Sequence, residues 1–104
     1  MNVFLSKYAE EKLLKLTEYL LENWGSKAKK DFINKLTEKI DQIALQPQSC
    51  PKSSTFKNLY KCVVTRQTTL YYRIASTPKA IEIITIFDTR QNPAKLNSEA
   101  NLKK

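Results

Sequence analysis

The sequence predicts an α+β domain in which a helical hairpin packs on one face of a small, antiparallel-dominated sheet, in the order β-α-α-β-β-β. Two observations support this class. Apolar residues recur at helical spacing through the first half of the 104-residue chain, and three runs rich in Val, Ile, Thr and Tyr follow one another in the second half. Residues 1–96 are therefore expected to form one domain, and residues 97–104 a polar, flexible tail.

The first half predicts a short strand and two helices. Val3 to Leu5 reads as the strand, and Ser6 is placed to cap the first helix. The apolar stripe of this helix consists of Ala9, Leu13, Leu16, Leu20 and Trp24, broadened by Leu14 and Leu21. Gly25 is the only glycine in the chain and lies where a helix needs a left-handed residue, with Ser26 expected to cap the second helix.

The second helix and the sheet follow from the same periodicity argument. The inward stripe of the second helix is Ala28, Phe32, Leu36, Ile40 and Ile43, with Ile33 and Ala44 beside it, and Pro47 ends the helix. Residues 46–57 have the proline and serine content of a loop. Residues 59–65, 69–75 and 80–87 are expected to be strands joined by short hairpin turns. The third of these is apolar on both faces, with Ile81 and Ile83 on one and Ile84 and Ile86 on the other, which predicts a central strand.

Positive charge is concentrated in the sheet half of the chain. Residues 1–47 carry eight lysines against seven acids, a net charge of +1, whereas residues 48–104 carry seven lysines and three arginines against three acids, a net charge of +7. With the helices on one side of the sheet, the other side and the tail are expected to form a cationic surface that includes Arg73 and Arg90. Such a surface favours an acidic partner, which nucleic acid, an acidic protein segment or a membrane surface would each satisfy.

The cysteine and histidine content limits the other chemistry. Two cysteines, Cys50 and Cys62, are too few for a disulfide framework, and a chain without histidine lacks the usual zinc ligands. We expect reduced thiols, with Cys62 buried as a small apolar side chain, and neither a metal nor a cofactor. The N-terminal apolar run is too short for a signal peptide and no later run suits a membrane span, so a cytoplasmic protein with no membrane contact is expected.

Three segments give the chain a resemblance to a known family. They are residues 58–64 (NLYKCVV), residues 70–74 (LYYRI) and the closing residues 84–93 (ITIFDTRQNP), the last with an Arg-x-x-Pro tail. Over roughly residues 2–96 the chain resembles the RelE/ParE superfamily of toxins from bacterial type II toxin-antitoxin modules. The resemblance implies a growth-inhibiting toxin that a cognate antitoxin neutralises by wrapping a partly disordered, acidic segment around it, in a toxin-antitoxin hetero-oligomer.

The superfamily contains two activities, and the resemblance implies different residues for each. RelE-like members are ribosome-dependent endoribonucleases, for which the cations Lys61, Arg73 and Arg90 with Tyr72 as acid are the candidate catalytic set here. This sequence departs from the RelE-like pattern, because the second lysine position is Val63, the next strand's arginine position falls near Thr69, and no tyrosine follows Pro93. Loss of a general acid or base typically costs about 10²- to 10⁴-fold in rate. The sequence therefore favours the ParE-like activity, poisoning of DNA gyrase by binding.

For a binding toxin, the candidate partner contacts are Lys61, Arg66, Arg73, Arg90 and Trp24. Structural roles compete with these: Asp88 and Arg90 as an ion pair at a strand end, and Trp24 as a lid on the core. The ribosome-dependent nuclease is the first alternative. A nucleic-acid-binding adaptor without toxicity, suggested by the charge alone, is the second.

Overall fold

The computed structural model describes residues 1–76 and 79–90 and confirms the predicted architecture of two helices on a four-stranded mixed sheet. Residues 77–78, 91–96 and the predicted tail at 97–104 lie outside the described residues, as does Pro93. The elements are β1 (Asn2–Leu5), α1 (Lys7–Trp24), α2 (Ser26–Leu45), β2 (Tyr60–Val63), β3 (Thr68–Ser76) and β4 (Lys79–Asp88).

The sheet has the order β1-β4-β3-β2, with β1 parallel to β4 and the remaining pairs antiparallel. β4 is thus a central strand, as its apolar composition predicted. Its two-face assignment was wrong in detail, because a bulge opposite Tyr71 and Tyr72 inserts Ile84 as an extra residue. The one-residue shift leaves Ile84 on the outer face and turns Ile86 inward beside Ile83.

The helical hairpin forms at the residues where the sequence predicted it. The Ser6 hydroxyl accepts a hydrogen bond from the amide of Ala9 (3.0 Å) and donates one to the carbonyl of Ile84 (2.9 Å), which fastens the start of α1 to the bulge in β4. Gly25 adopts φ +93° between the helices. The expectation that Ser26 caps α2 was wrong: Ser26 is the first helical residue, and Gly25 occupies the cap position without a side chain to offer.

The core lies between the helices and the inner face of the sheet. Ala9, Leu16 and Leu20 from α1 and Phe32, Leu36 and Ile43 from α2 are buried against inward residues of β2, β3 and β4. The apolar stripes were predicted too broadly, because Leu14, Leu21, Trp24 and Ile33 are exposed. A sheet of only four strands covers a narrow arc of each helix, so residues at the margin of a stripe remain in solvent.

The outer face of the sheet is partly covered, contrary to the expectation that it stays open. Residues 53–59 fold back over it, and Phe56 packs edge-on against Tyr71 with ring centroids 4.6 Å apart. Leu59 and Ile84 complete this second, smaller cluster. The segment is ordered by its own hydrogen bonds: the Ser53 hydroxyl accepts from two amides in the following turn, at 3.0 Å each.

Candidate functional site

Arg90 lies at the tip of the helical hairpin, where the chain leaves β4, and is held by several contacts. Its Nε and Nη2 atoms donate to the two carboxylate oxygens of Asp88 at 3.0 and 2.7 Å, and its amide donates to Asp88 at 2.9 Å. The carbonyl of Arg90 accepts from the Tyr19 hydroxyl (3.1 Å), and its guanidinium lies 6.0 Å from the centre of the Trp24 ring. We call Tyr19, Trp24, Thr68, Asp88 and Arg90 the Arg90 corner.

The ion pair in the Arg90 corner is asymmetric in its burial. The Asp88 side chain is fully buried, whereas that of Arg90 is 21% exposed. Burial by itself raises the pKa of Asp88, but hydrogen bonds from Arg90 and from the Thr68 hydroxyl, which donates at 2.5 Å, outweigh it and the pKa is lowered. The hydrogen bonds between Arg90 and Asp88 in turn raise the pKa of Arg90. The carboxylate is therefore ionised and Arg90 is committed to it, as the competing structural role for this pair implied.

An apolar surface leads from the Arg90 corner along α1. Leu14 and Leu21 are seven residues apart, so they share one side of the helix, and Trp24 follows one turn later. Their exposed fractions are 62%, 44% and 59%. We call these three residues the α1 apolar face. Trp24 is therefore exposed and does not act as a lid on the core, and tryptophan and arginine are enriched among the residues that dominate binding at protein interfaces.

Lys61 and Arg73 lie together on the outer face of the sheet. Lys61 pairs in register with Tyr71, which places Arg73 at the diagonal position, roughly 7–8 Å away between Cα atoms. Arg73 forms a salt bridge with Glu82 on β4, with Nε and Oε1 2.7 Å apart. Lys61 is exposed, and no acid within residues 1–76 and 79–90 forms a salt bridge with it.

Arg73 and Arg90 do not share a surface, and the expectation of a single cationic side that contains both was wrong. Arg73 lies opposite Glu82 in the register, and Thr68 lies opposite Asp88, so the two sites are five residues apart along β3, or roughly 17 Å. They also face opposite sides of the sheet, since Thr68 and Asp88 point toward the helices and Arg73 points away. The four candidate catalytic residues are thus distributed over three environments.

Tyr72 occupies the third of these environments, inside the core. Its side chain is fully buried, stacks on Tyr60 with centroids 5.1 Å apart, and donates its hydroxyl to the carbonyl of Pro47 at 2.6 Å. Burial raises the pKa of the Tyr72 hydroxyl above its ordinary value. In this position the hydroxyl stabilises the end of α2 and does not face any surface that a substrate would reach.

Arg66 belongs to a cationic segment around β2. Residues 52–66 contain Lys52, Lys57, Lys61 and Arg66, all exposed, and no acid. None of the four forms a salt bridge with any part of the chain that the structure describes. We call residues 52–66 the basic segment. It forms the edge of the sheet and part of the cover of the outer face, so it supplies a positive field separate from the Arg90 corner.

Two members of the Arg90 corner were missed at the level of sequence. Thr68 lies in the predicted turn between β2 and β3, and Tyr19 interrupts the apolar stripe of α1; neither carries a motif of its own. The available signal was the short polar stretch after β4, since a carboxylate directly after an apolar strand requires a buried partner to offset its desolvation.

The cavities of the protein add little to these surfaces. A groove of about 190 Å³ opens beside Arg90, between α2 and the turn after β2, with Asp31 and Lys35 on one wall. A larger groove of about 560 Å³ lies between the N-terminus and residues 46–49, and Lys79 is the one charged side chain that lines it among the described residues. Over residues 1–76 and 79–90, no cluster of three or more potential ligands is arranged to hold a metal ion.

The length and composition of the two helices can be compared with those of membrane-spanning helices. Within the described ranges, neither α1 nor α2 combines the length and the apolar character that crossing a bilayer requires.

Several solved structures share this fold. It is similar to the chromosomal ParDE toxin-antitoxin system from P. aeruginosa, with a TM-score of 0.69 and 13% identity over 85% of this chain and 95% of that chain. It is also similar to a YoeB/ParE toxin from Agrobacterium tumefaciens (TM-score 0.60, 12% identity, 85% and 98% covered). The YoeB dimer from Staphylococcus aureus is a third similar structure (TM-score 0.55, 17% identity, 84% and 94% covered).

The family follows from the sequence comparison. The model of the ParE toxin of the type II toxin-antitoxin system, parDE, matches residues 3–93. The chain therefore belongs to the ParE toxin family, as the resemblance to the RelE/ParE superfamily predicted, and the family implies an antitoxin partner. No curated protein matches the sequence significantly.

Proposed function

We propose that this toxin arrests growth in the cytoplasm by binding a replication target, DNA gyrase, and that it does not cleave RNA. The observation that supports this most strongly is the commitment of Arg90 to Asp88. Cleavage of RNA requires a proton acceptor, a proton donor and positive charge gathered around one phosphate. Among the described residues, Arg90 is neutralised on the helix side of the sheet, Tyr72 is buried, and Lys61 and Arg73 lie on the opposite face.

The α1 apolar face, with Arg90 beside it, is the contact surface that we propose for gyrase. A binding toxin requires a surface with a large aromatic anchor and apolar neighbours, and Trp24, Leu21 and Leu14 supply them along one side of a single helix. The hydrogen bonds of Arg90 hold its side chain in one conformation beside this surface, so that side chain loses little conformational entropy when a partner binds.

We propose that the basic segment is the docking site for the antitoxin. Four exposed cations without acids in between complement an acidic, partly disordered chain and would steer its association. Neutralisation would then begin at β2, and the antitoxin would continue toward the helices to cover the α1 apolar face. The association rate of the antitoxin with this toxin should fall steeply as salt is raised.

The test is a DNA cleavage assay with purified gyrase, plasmid DNA and the toxin. We expect linear, gyrase-linked DNA to accumulate with the toxin and to disappear when the antitoxin is added. Trp24→Ala should weaken the effect about 30-fold, the equivalent of about 2 kcal/mol for an interface anchor. Leu45→Ala is the matched control, because Leu45 is 85% exposed at the far end of α2 and should have no effect. Absence of cleaved DNA at saturating toxin would refute the gyrase target.

The ribosome-dependent endoribonuclease remains the alternative, and one observation favours it. Lys61 and Arg73 are diagonal neighbours on an exposed face, and Lys61 has no acidic partner among the described residues, so a phosphate could bind between them. If this is correct, messenger RNA is cut on translating ribosomes, and Lys61→Ala suppresses cutting while ribosome binding survives. Under the gyrase proposal, message is intact in growth-arrested cells.

A non-toxic, nucleic-acid-binding adaptor has only the net charge of +8 in its favour. It predicts normal growth at high expression and binding to nucleic acid with a steep salt dependence. Growth arrest on induced expression excludes it.

A further inference from the structure

The two cysteines of the chain lie next to each other in the core. Cys50 is in the segment that follows α2, Cys62 is in β2, and both are buried as free thiols in the same cluster. They belong to neither the Arg90 corner nor the α1 apolar face. The expectation that Cys62 is a buried apolar side chain is confirmed, but it does not account for a second buried cysteine beside it.

The backbone hydrogen bonds define how the two cysteines face each other. Lys52 and Tyr60 form an isolated antiparallel bridge, flanked by a bond from the Ser53 amide to Leu59 (2.7 Å) and one from the Lys61 amide to Pro51 (2.8 Å). These flanking bonds make Lys52 and Tyr60 a non-hydrogen-bonded pair.

The bridge is isolated, but its register, extended two residues back from Lys52 and two residues on from Tyr60, would bring Cys50 opposite Cys62 at the next non-hydrogen-bonded position. Cα atoms at such positions are about 4.5 Å apart, within the roughly 4.4–6.8 Å that disulfides span.

The side chains agree with this register. Cys50 lies close enough to Cys62 and to Tyr72 to raise the pKa values of both. Burial, and then the contacts with Cys50, raise the pKa of Cys62 to about 12, so that this thiol stays protonated near neutral pH. Cys50 is the more accessible of the two, with 8% of its surface exposed against 1% for Cys62. An oxidant entering from solvent would therefore meet Cys50 first.

We propose that Cys50 and Cys62 are an oxidisable pair that a peroxide converts into a cross-strand disulfide. Cys50 loses its thiol proton, its sulfur attacks one oxygen of hydrogen peroxide and the O–O bond breaks; the leaving hydroxide takes up the proton and departs as water, and Cys50 becomes a sulfenic acid. The Cys62 sulfur then attacks the Cys50 sulfur, the S–O bond breaks, and a second water leaves with the Cys62 proton. The two thiols lose two electrons in total, which the peroxide accepts.

The disulfide would fasten the cover of the outer face to the sheet. Cys50 and Cys62 bracket three of the four cations of the basic segment: Lys52, Lys57 and Lys61. In the reduced protein, residues 50–53 are joined to β2 by one isolated bridge and the two hydrogen bonds that flank it, and so short a pairing is expected to open locally. Oxidation would restrict that opening and so hold these cations, with Phe56 beneath them, in one arrangement.

The first experiment treats the folded, reduced toxin with hydrogen peroxide. We expect a monomer lighter by the thiol hydrogens, with the mass and gel mobility restored by a reductant. Amide hydrogen exchange at Ser53 and Lys61 should slow about tenfold or more, whereas the Gly25 amide, which bonds to Leu21 at the hairpin, should not change. The variants Cys50→Ala and Cys62→Ala should show none of these effects. Only disulfide-linked dimers, or over-oxidation of Cys50 without loss of the Cys62 thiol, would overturn the proposal.

A second experiment needs no variant and separates a native pairing from the proximity of any two nearby cysteines. The wild-type chain is equilibrated with glutathione and glutathione disulfide, once folded and once in concentrated urea. A pair matched to the fold should give an equilibrium constant for oxidation about 100-fold larger in the folded chain than in urea, the factor typical of a native disulfide that closes a loop of this length. Equal constants, or a larger one in urea, would show that the fold opposes the bond.

Discussion

Replacing Arg90 with alanine should destabilise the protein through the carboxylate that it leaves behind. Asp88 is fully buried and would lose its countercharge and two of its four hydrogen bonds. The bonds from the backbone amide of residue 90 and from the Thr68 hydroxyl would remain. Removing one partner of a buried ion pair typically costs 3–5 kcal/mol, and the two surviving bonds place this case at the lower end, about 3 kcal/mol. The corresponding fall in Tm is roughly 15 °C for a domain of this size.

Urea unfolding followed by circular dichroism measures this change, and a double variant isolates its cause. Asp88→Asn combined with Arg90→Ala removes the charge that Arg90 neutralises, so the pair should be coupled by at least about 1.5 kcal/mol, and the double variant should be more stable than Arg90→Ala alone. The deficit of Arg90→Ala should also shrink in acid, where protonation of Asp88 removes the unpaired charge. A loss below about 0.5 kcal/mol at neutral pH would show that Arg90 does not stabilise Asp88.

Three further predictions concern pH, the hairpin and the core. The pKa of Asp88 is lower in the folded chain than its ordinary value near 3.8. The contribution of Asp88 to stability is therefore complete above pH 3.8 and is lost as the pH falls through the folded pKa. Asp88→Asn should flatten this part of the curve of unfolding free energy against pH, and an unchanged curve would contradict the assignment. Gly25→Ala should cost about 2 kcal/mol in urea unfolding, because φ +93° with ψ 170° is accessible to glycine almost alone, and no atom lies within 4 Å of the added Cβ to provide another cause. Tyr72→Phe should lower the free energy of unfolding by about 1–2 kcal/mol, because the Pro47 carbonyl loses its hydrogen-bond donor, and toxicity in cells should be retained. A loss of RNA cleavage by 10²-fold or more in this variant would instead identify Tyr72 as a general acid.

The order of elements was predictable because each boundary carries a local signal. Ser6 caps α1 with its side-chain hydroxyl, Gly25 ends it with a positive φ, and the apolar runs of the strands differ in period from those of the helices. The central position of β4 also follows from local composition, since a strand covered on both sides has no polar face. None of these inferences requires knowledge of a distant residue.

The parts that could not be predicted depend on distant partners. Periodicity identifies the side of α1 that is apolar but not the width that the sheet covers, which is why the exposure of Leu14 and Leu21 was missed. The bulge at Ile84 shifts the facing of β4 by one residue without a glycine or proline to announce it. Whether Arg90 is free or paired depends on Asp88, which is buried and accepts a hydrogen bond from Thr68 on another strand.

The pairing of β1 with β4 has a consequence for synthesis of the toxin. Within residues 1–76 and 79–90, β1 (Asn2–Leu5) pairs only with β4 (Lys79–Asp88), which separates it from the rest of the sheet and follows it by more than 70 residues. A nascent chain on the ribosome can form the helical hairpin early, but the hairpin has no central strand to pack against until β4 has left the exit tunnel. The sheet should therefore complete only after β4 has been synthesised, and a chain that terminates before β4 would leave both β1 and the inner face of the hairpin without their partner.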